Sequence, residues 1–123
     1  MEQALRTRTR NPEVNDRRAA IALLQPVAAE IARWQISIAR LIEIGERSRI
    51  SREYNSAAAA EASALDQLVA DRRHALNNDL QHTTPEIRRH GRVQDCLKAL
   101  DSVAIGASRA KFLLDLGNDA REP

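Results

Sequence analysis

Apolar residues in the first third of the chain recur in steps of three, four and seven, and this spacing constrains the fold more than any other feature. The series is Val14, Ile21, Leu24, Ala28, Ile31, Ile38 and Ile42. Positions with this spacing share one face of an α-helix, so the series predicts an amphipathic helix. Asn11 fits its N-cap and Pro12 its first helical position, and we expect it to end near Arg47. Pro26 lies inside the series and predicts either a kink or a split into two helices.

A second helix is expected over about residues 52–81. Residues 48–51 form the expected connection from the first helix, with Ser51 as a candidate N-cap. The four alanines at 57–60 have the highest helix propensity of any residue type. The apolar series of this helix is Tyr54, Ala58, Ala62, Leu65, Leu68, Val69, Leu76 and Leu80.

A third helix is expected to begin at the sequence Thr-Thr-Pro-Glu and to run to about Leu116. Thr83 and Glu86 have the spacing of a capping box, and Thr84 in front of Pro85 is the alternative N-cap. The inward residues of this helix are Val93, Leu97, Leu100, Val103, Ala104, Ala107 and Leu114.

These helices predict a single all-α domain over residues 1–123. Residues 1–10 are expected to be a mobile arm and residues 117–123 a disordered tail, with Gly117 ending the third helix. Two short connections favour antiparallel neighbours, so we expect an up-down-up bundle of three long helices. A split at Pro26 would make it a four-helix bundle.

The composition agrees with closely packed helices and excludes several classes of protein. Only three of the 123 residues are aromatic, namely Trp34, Tyr54 and Phe112. Cys96 is the only cysteine, so no intrachain disulfide can form, and we expect it to be a small core residue. The sequence shows neither a signal peptide nor a stretch long and apolar enough to span a membrane, which predicts a cytoplasmic protein. Its many alanines and arginines suggest a GC-rich bacterial genome.

Helix order is expected to bring arginines from distant segments to one end of the bundle. There the start of the first helix meets the end of the second and the start of the third. Residues 1–20 and 70–92 hold ten cations and six acids, whereas the rest of the chain holds nine cations and eleven acids. We call this end the basic pole and expect it to bind an anionic protein or a phosphate-bearing partner. The expected binding residues are Arg17, Arg18, Arg72, Arg73, Arg88, Arg89, Arg92 and His90. The alternative is that these arginines are only a solvated surface.

Arg72 stands apart because helical spacing places it on the inward face of the second helix. An inward arginine must be paired or must face a cleft. Glu61 and Asp79 lie on the same edge, and Asp16 of the first helix is a third candidate partner. A structural ion pair and a ligand clamp are therefore both open.

The segment around His74 resembles the phosphoacceptor helix of some sensor histidine kinases. Residues 73–81, RHALNNDLQ, contain a histidine followed by an asparagine and a Leu-Gln pair, and helical phase exposes His74. The segment departs from that family at Ala75, where an acid usually follows the histidine. The resemblance implies a histidine phosphotransfer module with His74 as phosphoacceptor; the alternative is a solvated histidine.

Five apolar residues fall outside the core series, toward the end opposite the basic pole: Ile36, Ile44, Ile105, Phe112 and Leu116. A contiguous apolar patch there predicts a homodimer, and wider burial around a tight bundle is the alternative. We name these five residues the apolar set.

The expected function is that of a small bacterial interaction or adaptor protein. It would self-associate through the apolar set and bind an anionic partner at the basic pole. A histidine phosphotransfer module and a nonspecific nucleic-acid binder are the alternatives, although the stacking aromatics typical of single-strand binding are scarce. No catalytic motif, metal site or cofactor is indicated.

Overall fold

The computed structural model describes the backbone of residues 12–121 and the side chains of residues 14–116. This part of the chain forms four helices and no strands: α1 Pro12–Ser51, α2 Ser56–Gln81, α3 Pro85–Arg89 and α4 Gly91–Arg121. The predicted all-α bundle is confirmed. The predicted mobile arm of residues 1–10 lies outside the described residues. None of the described helices is long and apolar enough to cross a membrane.

The first two long helices run in opposite directions. Arg40 of α1 pairs with Glu61 of α2, and Glu30 of α1 pairs with Arg72 of α2, so a higher number on one helix meets a lower number on the other. These helices touch each other less than either touches α4. Long charged side chains therefore provide much of the link between α1 and α2.

The last helix, α4, packs against both α1 and α2. It is antiparallel to α2, since Asp101 pairs with Arg73 and Ser108 donates a hydrogen bond of 3.1 Å to the carboxylate of Asp66. It is parallel to α1, whose Gly45 lies against Leu113. The up-down-up order predicted from the sequence is therefore correct.

The core is aliphatic and contains few large side chains. Its largest fully buried residues are Leu41, Leu76, Leu100, Leu114, Val69 and Val93. Ala62 and Ala107 are also fully buried, which lets the helix axes approach closely. Leu68 was predicted to face inward but is 55% exposed. It lies about 100° around the helix from the buried Val69, which places it at the edge of the buried face.

Pro26 does not divide the first helix. The structure has one helix from Pro12 to Ser51 with Pro26 inside it, so the predicted split is wrong. The apolar series continues across Pro26, with Leu24 and Val27 both buried. Packing of this continuous face outweighs the loss of one backbone hydrogen bond.

The first helix ends later than the sequence suggested. Residues 48–51, predicted as the connection, form its last turn, and Ser51 donates its hydroxyl to the Ser48 carbonyl at 3.5 Å instead of capping α2. Arg52 has φ 59°, in the left-handed region, and the Glu53 N–H bonds the Ser48 carbonyl at 3.2 Å. This is a Schellman ending, with arginine where glycine is usual.

The second helix begins at Ser56 because Asn55 is its N-cap. The Asn55 side chain accepts the Ala58 N–H at 3.0 Å, and its backbone is extended. The predicted N-cap at Ser51 is therefore wrong, and the turn spans residues 52–55.

The predicted third helix is interrupted at His90. Its N–H closes α3 by bonding the Ile87 carbonyl at 3.1 Å, and its carbonyl accepts the Gln94 N–H at 3.1 Å. Its ring Nδ1 accepts the Arg92 N–H at 3.2 Å, so the same residue caps the start of α4. Residues 12–121 form four helices because of this break and not because of Pro26.

The last helix continues to Arg121, so its predicted end at Gly117 is wrong. Gly117 does not adopt the left-handed conformation that ends helices, since no described glycine has a positive φ. Residues 117–121 of the predicted disordered tail are helical. Residues 122–123 lie outside the described part of the chain.

Candidate functional site

Two of the predicted binding residues, Arg72 and Arg73, are engaged within the bundle. Arg72 is half-buried, as its inward position predicted, but it pairs with Glu30 and not with Asp16, Glu61 or Asp79. Glu30 is the less accessible partner, with a side chain only 19% exposed. Of the two alternatives for Arg72, a structural ion pair and a ligand clamp, the structure contains the ion pair.

Arg73 pairs with Asp101 of α4. The Oδ1 atom of Asp101 is shielded from solvent. It forms an ion pair with the Arg73 guanidinium but no well-aligned hydrogen bond. Removal of Arg73 would leave that shielded carboxylate oxygen without its charged partner, so Arg73 contributes to the packing of α2 against α4.

Five other predicted binding residues carry charges with no acidic partner among the described residues. They are Arg17, Arg18, Arg88, Arg89 and Arg92, and we call them the free arginines of the basic pole. They lie on three elements that are in contact: the first turns of α1, the short helix α3 and the first turn of α4.

The short helix α3 fixes two of these arginines. Thr84 caps it by accepting the Ile87 N–H at 3.3 Å. The Thr83 hydroxyl instead donates to the Leu80 carbonyl. Of the two N-caps that the sequence allowed, Thr84 is therefore the one that forms. Arg88 donates to the Gln81 carbonyl at 3.5 Å, and Arg89 donates through Nε to the Pro85 carbonyl at 3.3 Å. These bonds orient both guanidinium groups but leave their charges uncompensated.

The charge balance of the described residues repeats the asymmetry of the whole sequence. Residues 14–20 and 70–92 hold seven arginines and four acids, whereas the other residues between 14 and 116 hold eight cations and nine acids. Within this range, the cations outside the pole include Arg40, Arg47 and Arg109, each paired with a glutamate. The segments of the pole therefore carry a net positive charge, and the rest of the described chain does not.

An open groove of about 520 Å³ lies between α1 and α4, next to the pole. Its apolar lining is Ile21, Leu24, Ala28 and Ile31 of α1 with Cys96 and Ala99 of α4. Its polar residues are Gln25, Arg92 and Asp95. Arg92 thus belongs both to the free arginines and to the groove. The sequence predictions did not include this groove.

Two glycine contacts draw α1 and α4 together beyond the groove. A Cβ at Gly45 would lie 2.9 Å from the Leu113 Cβ, and one at Gly106 would lie 3.0 Å from the Ile38 Cγ2. Both contacts lie in the later halves of the two parallel helices. The groove lies in the earlier halves, from Ile21 to Ile31, where no glycine allows the helices to approach so closely.

Cys96 is half-buried in the wall of the groove and packs partly against the core, so the prediction of a core residue is only partly right. Burial raises the pKa of its thiol above the usual value for cysteine. A thiol that stays protonated at neutral pH is a poor nucleophile. Cys96 therefore contributes to the shape of the groove.

The two histidines of functional interest differ in their surroundings. His74 is exposed on α2, as predicted. His90 is half-buried, and its Nδ1 accepts the Arg92 N–H that caps α4, so the anion contact predicted for His90 would fall to its Nε2.

The apolar set is only partly exposed. Ile36 is 74% exposed, Ile105 72% and Phe112 63%. Ile44 is half-buried against the core and Leu116 is half-buried, so neither adds much to a surface patch. Ile105 lines a shallow groove between α2 and α4 together with Arg73 and Asp101.

Comparisons with known proteins add no further information. No family model, curated protein or solved structure matches the chain. Among residues 14–116, no three histidine, cysteine or acidic side chains are grouped as a metal site would require.

Proposed function

We propose that this chain is a small cytoplasmic adaptor protein of bacterial origin that binds an acidic protein partner at its basic pole. The binding residues are the free arginines: Arg17, Arg18, Arg88, Arg89 and Arg92. No bond is made or broken in this function. The protein would supply a rigid helical frame that presents guanidinium groups to carboxylates.

The grouping of five arginines without an acidic partner, within the described residues, in the segments of the pole carries this proposal. Each helix pair of the three long helices is linked by an ion pair: Arg72–Glu30, Arg73–Asp101 and Arg109–Glu46. At the pole, five arginines lie on three helices that contact one another, and they have no such partner among the described residues. Like charges repel, and a bound anion would relieve this repulsion. Arginine also binds carboxylates through two parallel hydrogen bonds.

The test is binding of a fluorescein-labelled polyglutamate peptide, measured by fluorescence anisotropy at increasing salt. We expect binding that weakens with salt, because exposed charges are screened. The double variant Arg17→Gln/Arg89→Gln should bind about tenfold more weakly, since each exposed charge contact is worth about 0.5–1 kcal/mol.

The matched control is Arg33→Gln/Arg49→Gln, which removes the same charge from two exposed arginines outside the pole that have no ion pair within residues 14–116. It should bind as the parent protein does. Equal weakening in both variants would mean that net charge alone attracts the peptide, and the pole would not be a site. Tighter binding of a single-stranded oligonucleotide, with a steep salt dependence, would favour a nucleic-acid binder instead.

Self-association is a second part of the proposal. The exposure of Ile36, Ile105 and Phe112 supports it, because large apolar side chains on a surface favour association. Light scattering should give twice the mass of one chain, and Phe112→Asp should lower the measured mass toward that of the monomer. A monomer at high concentration would refute the homodimer.

A phosphotransfer module is the alternative that the exposed His74 favours. It requires an acid-labile phosphate on His74 after incubation with acetyl phosphate, and loss of that label in His74→Gln. Absence of label in the parent protein would exclude phosphotransfer through His74.

A further inference from the structure

We propose that the groove between α1 and α4 receives one amphipathic, acidic helix of the partner protein. This inference rests on the proposed function and adds the form of the ligand. The apolar face of the incoming helix would lie along α1, and its acidic residues would meet the free arginines. The complex would then be a four-helix arrangement in which the partner supplies one long helix.

Exposed apolar residues on α1 have the spacing that a docking helix requires. Val14, Ile21 and Ala28 are seven residues apart and all exposed, at 41% for Val14 and 36% for Ile21. Residues seven apart form one line along a helix, and such a line is the seam along which another helix packs. Ile21 and Ala28 also line the groove.

The groove has the dimensions of a helix contact. From Ile21 to Ile31 it spans about 15 Å, and from Val14 about 26 Å, at 1.5 Å per residue. Across from α1, the residues Cys96 and Ala99 are small and allow a neighbouring helix to approach. A partner helix of about 10–18 residues would cover the seam.

Charge selects an acidic helix over a second copy of this chain. Arg92 lines the groove, and Arg17 and Arg18 lie on the same stretch of α1 as the seam. Parallel docking of α1 from a second copy here would bring its own arginines against these, and like charges in contact oppose association. Asp95, the other charged residue of the groove, lies one turn beyond Arg92. The partner helix therefore needs acids toward the pole and a basic or hydrogen-bond-donating residue about one turn further along.

The probe is a synthetic peptide of about 18 residues, labelled with fluorescein. Leucines recur along one face, glutamates occupy the other positions, and one lysine lies opposite Asp95. A scrambled peptide of the same composition has the same charge but no apolar face. Both are titrated with the full chain, and circular dichroism follows helix formation in the peptide.

The groove is tested by Ala28→Glu, and the matched control is Ala29→Glu. Both alanines are exposed on the same helix turn, but only Ala28 lines the groove. The two variants carry the same added charge, so a difference between them reports the groove itself. We expect the amphipathic peptide to bind the parent about tenfold to a hundredfold more tightly than the scrambled one. Ala28→Glu should abolish that advantage, and Ala29→Glu should keep it.

The outcomes separate this inference from the function on which it rests. Equal affinity of both peptides would overturn the helix-binding groove and leave the acidic-partner pole intact, whereas failure of both peptides to bind would overturn both. A dimer mass that Ala28→Glu halves would assign the groove to a second copy and refute the inference. Saturable binding of dodecanoate, together with equal affinity of both peptides, would refute it in favour of a lipid-like ligand.

Discussion

Replacement of Gly45 by alanine tests the close contact between α1 and α4 that lies beyond the groove. The new Cβ would lie 2.9 Å from the Leu113 Cβ and 3.5 Å from the Leu114 Cγ. The Leu113 Cβ is attached directly to the α4 backbone, so no rotamer change can move it. Relief requires the helices to separate, and such overpacking costs about 1–3 kcal/mol. Alanine regains about 1 kcal/mol of helix propensity, which leaves a net loss of about 1 kcal/mol.

Urea unfolding followed by circular dichroism measures this loss, and a thermal scan should show a melting temperature about 3–5 °C lower. Gly91→Ala is the matched control, because a Cβ there meets nothing within 4 Å. It should leave the free energy of unfolding unchanged or raise it by up to about 1 kcal/mol. Gly106→Ala should fall between the two, since its contact with the Ile38 Cγ2 is slightly longer, at 3.0 Å, and that atom is one bond further from the backbone than a Cβ. A Gly45→Ala variant as stable as Gly91→Ala would refute the contact and the account of why the groove opens where it does.

Three further substitutions or reactions test other parts of the structure. Arg72→Gln should lower the free energy of unfolding by about 1–2 kcal/mol, because Glu30 loses its partner. Adding Glu30→Gln should restore part of that free energy. No recovery in urea unfolding would mean that Arg72 and Glu30 are not coupled. Arg52→Gly should raise the free energy of unfolding by about 0.5–1 kcal/mol, and with it the melting temperature, because glycine adopts a left-handed φ without strain. A lower melting temperature would contradict the Schellman ending. Cys96 should react with iodoacetamide more slowly than a cysteine peptide at about pH 8 and faster as pH rises, since burial raises its pKa; mass spectrometry showing equal rates would contradict its burial.

The positions and order of the long helices could be predicted from the sequence because their signals are local. The starts at Pro12 and Pro85 follow from capping residues, and the series of apolar residues gives the inward faces. The connection between α1 and α2 was misplaced because Ser51 and Asn55 are both good N-caps. The choice between them depends on Arg52 adopting a left-handed conformation that arginine seldom takes.

The break at His90 was missed because it depends on a histidine ring nitrogen accepting a backbone N–H, which no propensity scale records. Gly91 directly after His90 was the available signal, since glycine weakens a helix. The acid that pairs with Arg72 could not be predicted from the sequence, because it depends on which face of α1 turns toward α2. Glycines in the middle of long helices indicate close approach, so Gly45 and Gly106 were the available signals for the contact beyond the groove.

The proposed function assigns stability and binding to different arginines, which differ in their positions along the bundle. Arg72 and Arg73 lie midway along the bundle, where neighbouring helices bring a glutamate or an aspartate within reach, and the pairs formed there hold the helices in register. Arg88, Arg89 and Arg92 lie between the end of α2 and the first turn of α4. Arg72 and Arg73 are therefore compensated by the fold, whereas Arg88, Arg89 and Arg92 have no acidic partner among residues 14–116. The groove begins at the same end, so an acidic helix that neutralises Arg92 would also cover Ile21 and Ala28, and charge and apolar burial would favour the same docked position.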